Sequence, residues 1–509
     1  MIISKTGAKS WTNRHETFTQ NINDLYNLAN QDSGDVVDDY NDATKGIQSI
    51  IKDAIASGKT LRILGGEWSW TKIAATDGIL LNTKPLNLSL AIGRDDVSSG
   101  YAKTPDDLYF AQCGVSVKEL NDRLKKRKRS LKTTGASNGQ TIVGGMSTGT
   151  HGAAIDVGSI PDYVVGLHII TSPTRHIWLE RKSYPVASDS FAEILNAELV
   201  RDDDMFNAAL VSFGSFGFIH GVMLETDPLF LYQAFRLRVP MDNNLFSLME
   251  TLDFTNTAVS LPNGHERPYH FQALINQYDT SNQAYMTVMY KRPYKTPYTP
   301  PAMTTGIAPG DDAPVFIGKI TQALPAIVPG AVNALVGASY KPYSDVWGTH
   351  GEMFTNTDTH GKVLSSALGV PINYVNQVRQ LFVAVNKSKG PFVGVLAFRY
   401  VRGTQATLGF TRFPNTCVIE LDSVFSNESM NFYTNFWNEM IKQGIPFTFH
   451  WGKLLDLNKT TLRTMYTDAK VESWLSARYA VMKDVASMHV FTNDFMRQIS
   501  LDVLPSVPV

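Results

Sequence analysis

Charged side chains inside apolar runs are the first candidates for chemistry in this chain. Arg399 lies within the run Val395–Tyr400, and Glu420 lies within the run Thr416–Asp422. Because an unpaired buried charge is very costly, Arg399 requires a partner, and Glu420 can supply the carboxylate. The two residues form either part of an active site or a plain structural ion pair.

Two glycine-rich stretches predict a site for a phosphorylated or flat ligand. The longer one, Gly139–Gly152, reads Gly-Gln-Thr-Ile-Val-Gly-Gly-Met-Ser-Thr-Gly-Thr-His-Gly, and the shorter one is Gly65-Gly-Glu-Trp-Ser-Trp70. A backbone with so few Cβ atoms turns tightly and lets its N–H groups approach a polyanion. The chain has neither G-x-G-x-x-G nor G-x-x-x-x-G-K-[ST], which excludes the common dinucleotide and mononucleotide loops.

A helix and a strand are expected to position the shorter stretch. Residues 46–58 carry isoleucines at helical spacing and end at Gly58, a typical helix stop. The apolar run 61–64 then leads directly into Gly65 and Gly66. This order predicts an α/β unit whose loop holds a pyrophosphate through backbone donors.

The two loops together resemble the FAD-binding domain of the vanillyl-alcohol oxidase, or PCMH-type, flavoprotein family. They are most similar to the aldonolactone and alditol oxidases and to the type II cholesterol oxidases. Later segments resemble the family's motifs in the family's order, namely Phe206–Ile219, His450–Lys453 and Val490–Met496. The resemblance covers most of the chain and implies an FAD-dependent oxidoreductase.

The resemblance assigns FAD binding to the two loops and to a later Gly-x-x-Gly turn. The residues are Gly65, Gly66, Glu67, Trp68, Ser69, Trp70, Gly135, Ser137, Gly144, Gly145, Ser147, Thr148, Gly149, Thr150, His151, Gly152, Gly214, Gly217 and Ile219. His151 either takes part in catalysis or only hydrogen-bonds the loop backbone. No metal site is expected, because the chain has no H-E-x-x-H motif and no close Cys/His cluster.

One position departs from the family pattern in a way that affects the cofactor. Many relatives attach FAD covalently through a histidine of the first loop, and Trp68 occupies the matching position. Tryptophan cannot form that link, so we expect FAD to be bound non-covalently. Its oxidising power would then be tuned by Lys453, Arg399 and burial.

Flavin oxidation of an alcohol requires three things of the protein. A C–H bond must lie over flavin N5, a group must take the hydroxyl proton, and positive charge must lie near flavin N1 and O2. Lys453 matches an active-site lysine of the family and is the candidate for the positive charge; the alternative is a surface lysine. His450, where relatives have a glutamate, is either catalytic or a core histidine bonded to a backbone carbonyl.

The remaining catalytic candidates also come from the resemblance. Arg399 matches the arginine of a Glu-x-Arg pair that faces the substrate in relatives, but Ala397 stands at the glutamate position. Glu420 is the replacement candidate. Asn493 matches an active-site asparagine of type II cholesterol oxidases, and its alternative role is to cap a turn.

Bulk composition excludes several functional classes. The 509 residues have a formal net charge of -1, so no overall field favours nucleic acid or an anionic membrane. Cys113 and Cys417 are far apart and in no CxxC pattern, which favours reduced, buried thiols. The polar segment 1–21 lacks the apolar region of a secretory signal, so we expect a cytoplasmic protein without a membrane span.

The hydrophobic pattern predicts an α+β protein organised in three stretches. Residues 1–235 form a two-lobed PCMH-type FAD-binding domain, and 236–445 form a substrate-binding cap with a large antiparallel sheet flanked by helices. Residues 446–509 return to the FAD domain and the active site. The strands expected in the cap are Tyr269–Ile275, Ala284–Tyr290, Phe392–Tyr400 and Thr416–Asp422. A long loop is expected at 292–314 and an apolar helix at 320–336.

The expected reaction is removal of hydride from a small-molecule alcohol to flavin N5, with reoxidation by oxygen and release of hydrogen peroxide. A dehydrogenase with another acceptor is the alternative within the class. A flavin-binding protein with altered catalysis is the alternative outside it, and Ala397 and Trp68 favour it. The phenylalanines at 392, 398, 413 and 425 favour a partly hydrophobic substrate, although core packing gives the same pattern.

Overall fold

The computed structural model describes residues 1–302, 309–310, 327–357 and 361–506. The helices are α1 (Val36–Ser57), α2 (Val117–Lys126), α3 (Ile142–Ser147), α4 (Asp189–Ile194), α5 (Asp203–Leu210), α6 (Asn243–Thr251), α7 (Val328–Ser339), α8 (His350–Met353), α9 (Val375–Lys389), α10 (Asn427–Lys442), α11 (Lys459–Tyr466), α12 (Asp468–Met482), α13 (Val485–Val490) and α14 (Asp494–Gln498). Single 3-10 turns lie at Lys72–Ala74, Pro105–Asp107, Ile160–Tyr163 and Ile372–Tyr374.

The strands of the N-terminal part are β1 (Ile2–Lys5), β2 (Ser10–Thr12), β3 (Thr19–Asn21), β4 (Asp24–Ala29), β5 (Leu61–Leu64), β6 (Ile79–Asn82), β7 (Leu108–Gln112), β8 (Arg129–Ser130), β9 (Val164–Ser172), β10 (Arg175–Glu180), β11 (Glu198–Arg201), β12 (Phe218–Glu225) and β13 (Asp227–Pro228). Those that follow are β14 (Phe230–Pro240), β15 (His270–Ile275), β16 (Gln283–Pro293), β17 (Tyr343–Gly348), β18 (Val363–Pro371), β19 (Gly394–Arg402), β20 (Asn415–Val424) and β21 (Thr448–Phe449).

Helix α1 and a small sheet position the first glycine-rich loop. The sheet has the order β1-β4-β6-β5, and β5 runs parallel to β6. The Asp35 side chain caps the start of α1 by accepting the Val37 and Asp38 amide protons, and Gly58, at φ 62°, ends the helix in the left-handed conformation. The end of the helix is therefore at the predicted glycine, but its start precedes the predicted residue 46.

The second lobe of the N-terminal part is a five-stranded sheet of order β11-β10-β9-β12-β7. Every residue of β9 and β12 is buried, which explains why both appear as unbroken apolar runs in the sequence. With the small sheet, it gives the two lobes that the sequence predicts.

The largest sheet has eight strands in the order β17-β14-β16-β15-β19-β20-β18-β21. Its pairings are antiparallel, and the four cap strands predicted from alternation correspond to β15, β16, β19 and β20. The α+β class with a large antiparallel sheet is therefore confirmed. The chain enters this sheet with β14, so the expected domain boundary at 235 falls inside a strand, and β21 returns to its edge after residue 446.

Helix α7 covers part of one face of this sheet. Val328, Val332 and Val336 pack in one cluster with Leu274 of β15 and Val395 of β19. The helix expected at 320–336 overlaps α7, although residues 311–326 lie outside the described part of the chain. The expected loop at 292–314 is described only up to residue 302 and at 309–310. None of the described helices is both long enough and apolar enough to cross a membrane.

Candidate active site

A cavity between the two lobes and the large sheet brings most of the predicted residues together. It contains about 1490 Å³ of empty space, its open mouth included. The predicted residues that line it are Gly65, Gly66, Glu67, Trp68, Ser69, Trp70, Gly135, Ser137, Gly144, Gly145, Ser147, Thr148, Thr150, His151, Gly214, Gly217, Ile219, Arg399, Glu420, His450 and Lys453. Gly149, Gly152 and Asn493 are the predicted residues that do not line it.

The two glycine-rich loops touch each other at positions where no side chain fits. A Cβ atom on Gly65 would lie 2.1 Å from the Thr141 hydroxyl, and one on Gly66 would lie 2.6 Å from the Gly139 carbonyl oxygen. The Thr141 side chain in turn accepts the Gly144 amide proton at the start of α3. Glycine is required here because the backbones of the two loops approach within contact distance.

Gly149 and Gly152 have structural roles behind the cavity wall. Gly149 has φ 73° and ends the turn after α3, a conformation that disfavours residues with a Cβ atom. A Cβ atom on Gly152 would lie 2.2 Å from the Thr133 hydroxyl. Both glycines shape the loop that presents Thr150 and His151 to the cavity.

Arg62 is a cavity-lining cation that the sequence analysis missed. Its guanidinium donates to the carbonyl oxygens of Gly214 and Phe491, at 3.2 and 3.1 Å, and to those of Ile73 and Phe213. Only 2% of the residue is exposed, and burial, reinforced by the charge of Arg478, lowers its pKa to about 9. It remains protonated at neutral pH, so it places a fixed positive charge beside the turn at Gly214.

Three charged side chains meet at the other end of the cavity. The Glu420 carboxylate lies 2.7 Å from Lys453 Nζ through Oε1 and 3.3 Å from Arg399 Nε through Oε2. Glu420 and Arg399 are almost fully buried. Burial alone would raise the pKa of Glu420, but the charges of Arg399 and Lys453, with a contribution from His151, hold it well below its usual value. The carboxylate is therefore ionised between two cations.

Two further polar residues hold this cluster, and neither was predicted. Asp422, two positions along β20 from Glu420, accepts a hydrogen bond from Ser365 Oγ at 2.6 Å and lies 4.0 Å from Lys453 Nζ. Gln272 on β15 accepts a hydrogen bond from Arg399 Nε at 3.1 Å. Alternation along β20 could have indicated Asp422, because residues two apart on a strand share a face. Nothing in the sequence pairs Gln272 with Arg399.

Two histidines face the same end of the cavity with different hydrogen bonds. His151 Nδ1 lies 2.9 Å from the Gly152 carbonyl oxygen and therefore carries a proton, and His151 Nε2 lies 3.7 Å from Glu420 Oε1. His450 Nδ1 instead accepts the Gly452 amide proton at 3.0 Å. Burial and the neighbouring His151 and Lys453 lower the pKa of His450 well below its usual value, so this ring is neutral.

Asn493 does not line the cavity, although it is bonded to the lining residue Ile73, and it has the capping role considered as its alternative. Its side-chain oxygen accepts the Met496 amide proton at the start of α14. Its amide nitrogen donates to the carbonyl oxygens of Ile73 and Ala75, at 3.1 and 2.9 Å. It therefore fastens the C-terminal segment to the turn after the first loop, and in this structure it does not reach the charged cluster.

The phenylalanines of the cap do not form a wall of the cavity. Phe392 and Phe398 are buried in the main hydrophobic core, and Phe425 is 40% exposed. Phe413 is half-buried, and none of the four phenylalanines is among the residues that line the cavity, so the pattern gives no information about the substrate.

The residues present fit the cofactor that the sequence predicts. Glycines of both loops line the cavity, so no Cβ atom keeps a pyrophosphate away from their backbone, and the charge of Arg62 lies beside them. The indole nitrogen of Trp68 is buried and makes no hydrogen bond within the described residues. Lys453 and Arg399 lie at the end where the resemblance places the flavin ring.

Comparison with known proteins identifies the cofactor and the reaction class. Residues 42–179 match the FAD binding domain family. L-gulono-1,4-lactone dehydrogenase of Mycobacterium tuberculosis is 22% identical over 460 residues, covering 89% of this chain and 93% of that protein. D-arabinono-1,4-lactone oxidase of Yarrowia lipolytica is 26% identical over 184 residues, covering 36% of this chain and 30% of that protein.

Solved structures share the fold over the whole chain. Cholesterol oxidase from Brevibacterium sterolicum superposes with a TM-score of 0.68 at 15% identity, covering 98% of this chain and 97% of that one. Xylooligosaccharide oxidase from Myceliophthora thermophila superposes with a TM-score of 0.61 at 10% identity, covering 100% of this chain and 97% of that one. The chain is therefore an FAD-dependent oxidoreductase with the PCMH-type fold and an FAD binding domain over residues 42–179.

Proposed function

We propose that the protein oxidises a CH–OH group of a small molecule to a carbonyl, with oxygen as the final electron acceptor. The observation that supports it is the buried Glu420, held between Arg399 and Lys453 at the end of the FAD cavity. FAD, when bound, supplies the acceptor for the hydride that leaves the carbinol carbon. Oxygen takes the two electrons, with two protons, and leaves as hydrogen peroxide.

His151 is the proposed acceptor of the hydroxyl proton. Its Nδ1 proton is held by the Gly152 carbonyl oxygen, so Nε2 is the ring nitrogen that would accept the hydroxyl proton. The ionised Glu420, 3.7 Å from Nε2, stabilises the imidazolium that forms when the proton arrives. His450 is less suited to this role, since its Nδ1 lone pair already accepts the Gly452 amide proton.

Lys453 and Arg399 serve two purposes in this account. They keep Glu420 ionised, and they place positive charge at the end of the cavity where reduced FAD would carry negative charge. Asp422, 4.0 Å from Lys453 Nζ, is a second carboxylate that keeps this ammonium group in position.

The relatives suggest the class of alcohol. L-gulono-1,4-lactone dehydrogenase aligns over most of both chains, and the D-arabinono-1,4-lactone oxidase of Yarrowia lipolytica aligns over 36% of this chain. An aldonolactone or a related polyhydroxylated carbinol is therefore the first substrate to test. The dehydrogenase name also favours a second candidate, the same oxidation with an acceptor other than oxygen.

FAD is proposed to be bound without a covalent link, because Trp68 stands where histidine-linked relatives have their histidine. Precipitation with acid tests this directly: the yellow flavin should appear in the supernatant. Colour that stays with the protein pellet would contradict non-covalent binding, whatever the substrate is.

Turnover assays test the reaction and separate the two acceptors. Purified holoprotein is supplied with a panel of aldonolactones, alditols and sterols, first in air with detection of hydrogen peroxide, then with an artificial electron acceptor. Peroxide formation supports an oxidase, and activity only with the artificial acceptor supports a dehydrogenase. His151→Gln should retain FAD but lose about 10²–10⁴-fold in rate, the usual effect of removing a general base. An unchanged rate would eliminate His151 as the proton acceptor.

A further inference from the structure

Residues 11–15, which comprise the end of β2 and the first residues of the loop to β3, contact four consecutive residues of the first FAD loop, 67–70. Trp11 Nε1 donates to Glu67 Oε2 at 2.8 Å, and Asn13 Nδ2 donates to the Ser69 carbonyl oxygen at 3.2 Å. We call this segment the N-terminal clasp.

The central contact of the clasp joins Arg14 to Trp68. The guanidinium carbon of Arg14 lies 4.6 Å from the centre of the Trp68 ring, a cation–π distance. The same guanidinium donates to the Thr357 carbonyl oxygen at 3.2 Å. Arg14 therefore joins the N-terminus, the first FAD loop and a segment of the cap.

The next residue of the clasp stacks on the end of the loop. The His15 and Trp70 rings are parallel within 3°, with centres 3.8 Å apart, and His15 is fully buried. Trp70 Nε1 donates to the Val363 carbonyl oxygen of β18 at 2.7 Å. The end of the loop is thus fixed between the clasp and the large sheet.

The loop beneath the clasp has a conformation that needs external support. Glu67 has φ 65°, a left-handed conformation that a residue with a Cβ atom adopts only at a cost. Trp11 holds its carboxylate from one side and Lys84, at 2.9 Å, from the other. The Trp68 ring packs so closely on the second loop that a Cβ atom on Gly139 would lie 2.6 Å from it.

We propose that the N-terminal clasp controls how long FAD stays bound, with the Arg14–Trp68 contact as its principal element. The proposal rests on the non-covalent binding proposed above. Both touching loops line the cavity proposed to hold FAD, so their separation would weaken its hold on the cofactor, and the clasp opposes that separation by holding Trp68 against Gly139. Arg14 is a positioning residue, since it acts on FAD through Trp68.

The test measures the rate at which FAD leaves the holoprotein, from the recovery of flavin fluorescence after dilution. Arg14→Ala should release FAD about tenfold faster, in keeping with the strength of a partly buried cation–π contact. Arg14→Gln, which keeps a donor for the Thr357 carbonyl, should also release it faster. In the double variant with Trp68→Ala, the Arg14 substitution should have little further effect, because its partner is gone.

Lys5→Ala is the matched control. Lys5 makes a similar contact, 5.1 Å from the centre of the Tyr26 ring, but in β1 and outside the cavity wall. It should leave the release rate unchanged. The melting temperature of the apoprotein, measured for each variant, separates a specific effect on FAD from general loss of stability.

The possible outcomes distinguish the clasp from the binding mode on which it rests. If acid frees the flavin but FAD leaves the Arg14→Ala variant and the wild type at the same rate, the clasp proposal is wrong and non-covalent binding stands. The clasp proposal is also wrong if Arg14→Ala speeds FAD release equally in the wild type and in the Trp68→Ala variant. Flavin that acid does not free contradicts non-covalent binding and the clasp proposal together.

Discussion

Ala397 on β19 and Glu420 on β20 lie directly opposite each other in the large antiparallel sheet. The family's Glu-x-Arg pattern would place a carboxylate at 397, two residues before Arg399. The neighbouring strand supplies it instead, and Glu420 Oε2 reaches Arg399 Nε at 3.3 Å. Side chains opposite each other on neighbouring strands share a face of the sheet. A carboxylate at 420 on β20 can therefore reach Arg399 as one at 397 on β19 would.

Replacement of Glu420 by glutamine tests the buried charge cluster. It leaves Arg399 and Lys453 without the carboxylate that compensates them, so the free energy of unfolding should fall by about 3–5 kcal/mol. Glu439→Gln is the control: its pair with Lys442 is exposed and should be worth roughly 0.5 kcal/mol or less. Denaturant unfolding of both variants gives the comparison, and equal costs would contradict the assigned role of Glu420.

A methyl group at Gly139 should disturb the contact between the two FAD loops. The added Cβ atom would lie 2.6 Å from the Trp68 ring and 2.8 Å from the Thr357 carbonyl oxygen. Overpacking of this kind typically costs about 1–3 kcal/mol, and FAD affinity should fall with it. The FAD dissociation constant from fluorescence titration is the measurement.

Gly337→Ala is the control for that substitution. Gly337 lies in α7 with nothing within 4 Å of its added Cβ atom, so alanine should stabilise the protein by about 0.5–1 kcal/mol and leave FAD affinity unchanged. If both alanine variants bind FAD as wild type does, the close packing of the loops is unimportant for the cofactor.

Asn493→Ala should lower stability without changing the environment of the flavin. The substitution removes a helix cap and the donor to the Ile73 and Ala75 carbonyl oxygens, which together should cost about 1–3 kcal/mol. The visible spectrum and the sulfite affinity of the bound flavin should match wild type. A shifted sulfite affinity would show instead that Asn493 acts on the flavin, as the resemblance implies.

His350 should make the protein less stable in acid. Burial lowers its pKa to about 3, and both ring nitrogens are bonded, to Thr134 and Tyr232. Between the unfolded pKa of about 6.5 and pH 3, the unfolded chain binds a proton that the native ring does not, so stability falls as the pH is lowered. His350→Asn should reduce that slope by about 1.4 kcal/mol per pH unit. Parallel stability curves for the two proteins would contradict a buried neutral His350.

The FAD-binding part could be predicted from the sequence because its signals are local. Gly65 and Gly66 follow a short strand, and the glycines and hydroxyls from Gly144 to Thr150 are contiguous, so chain order alone identifies the loops. The signal for the end of α1, a glycine after the last apolar residue of the helix, is equally local. The start of α1 was not found, since residues 36–45 carry polar side chains that mask the apolar face.

The parts that could not be predicted depend on contacts between distant strands. Arg62 looks like an ordinary strand residue until its guanidinium is seen among backbone carbonyls contributed by Gly214 and Phe491. Gln272 has no pattern that points to Arg399. The N-terminal clasp lies in a polar segment that resembles a loop, and only the fold places it on the FAD site.

Anaerobic titration of the purified holoprotein with a panel of aldonolactones and alditols is the sharpest test of the proposed oxidation of a CH–OH group. At least one carbinol should bleach the visible flavin absorption of the wild-type protein. His151→Gln, with the same FAD content, should bleach far more slowly with that compound. Flavin that stays oxidised with every carbinol, in a protein that chemical reductants bleach normally, would contradict the proposed oxidation of a CH–OH group.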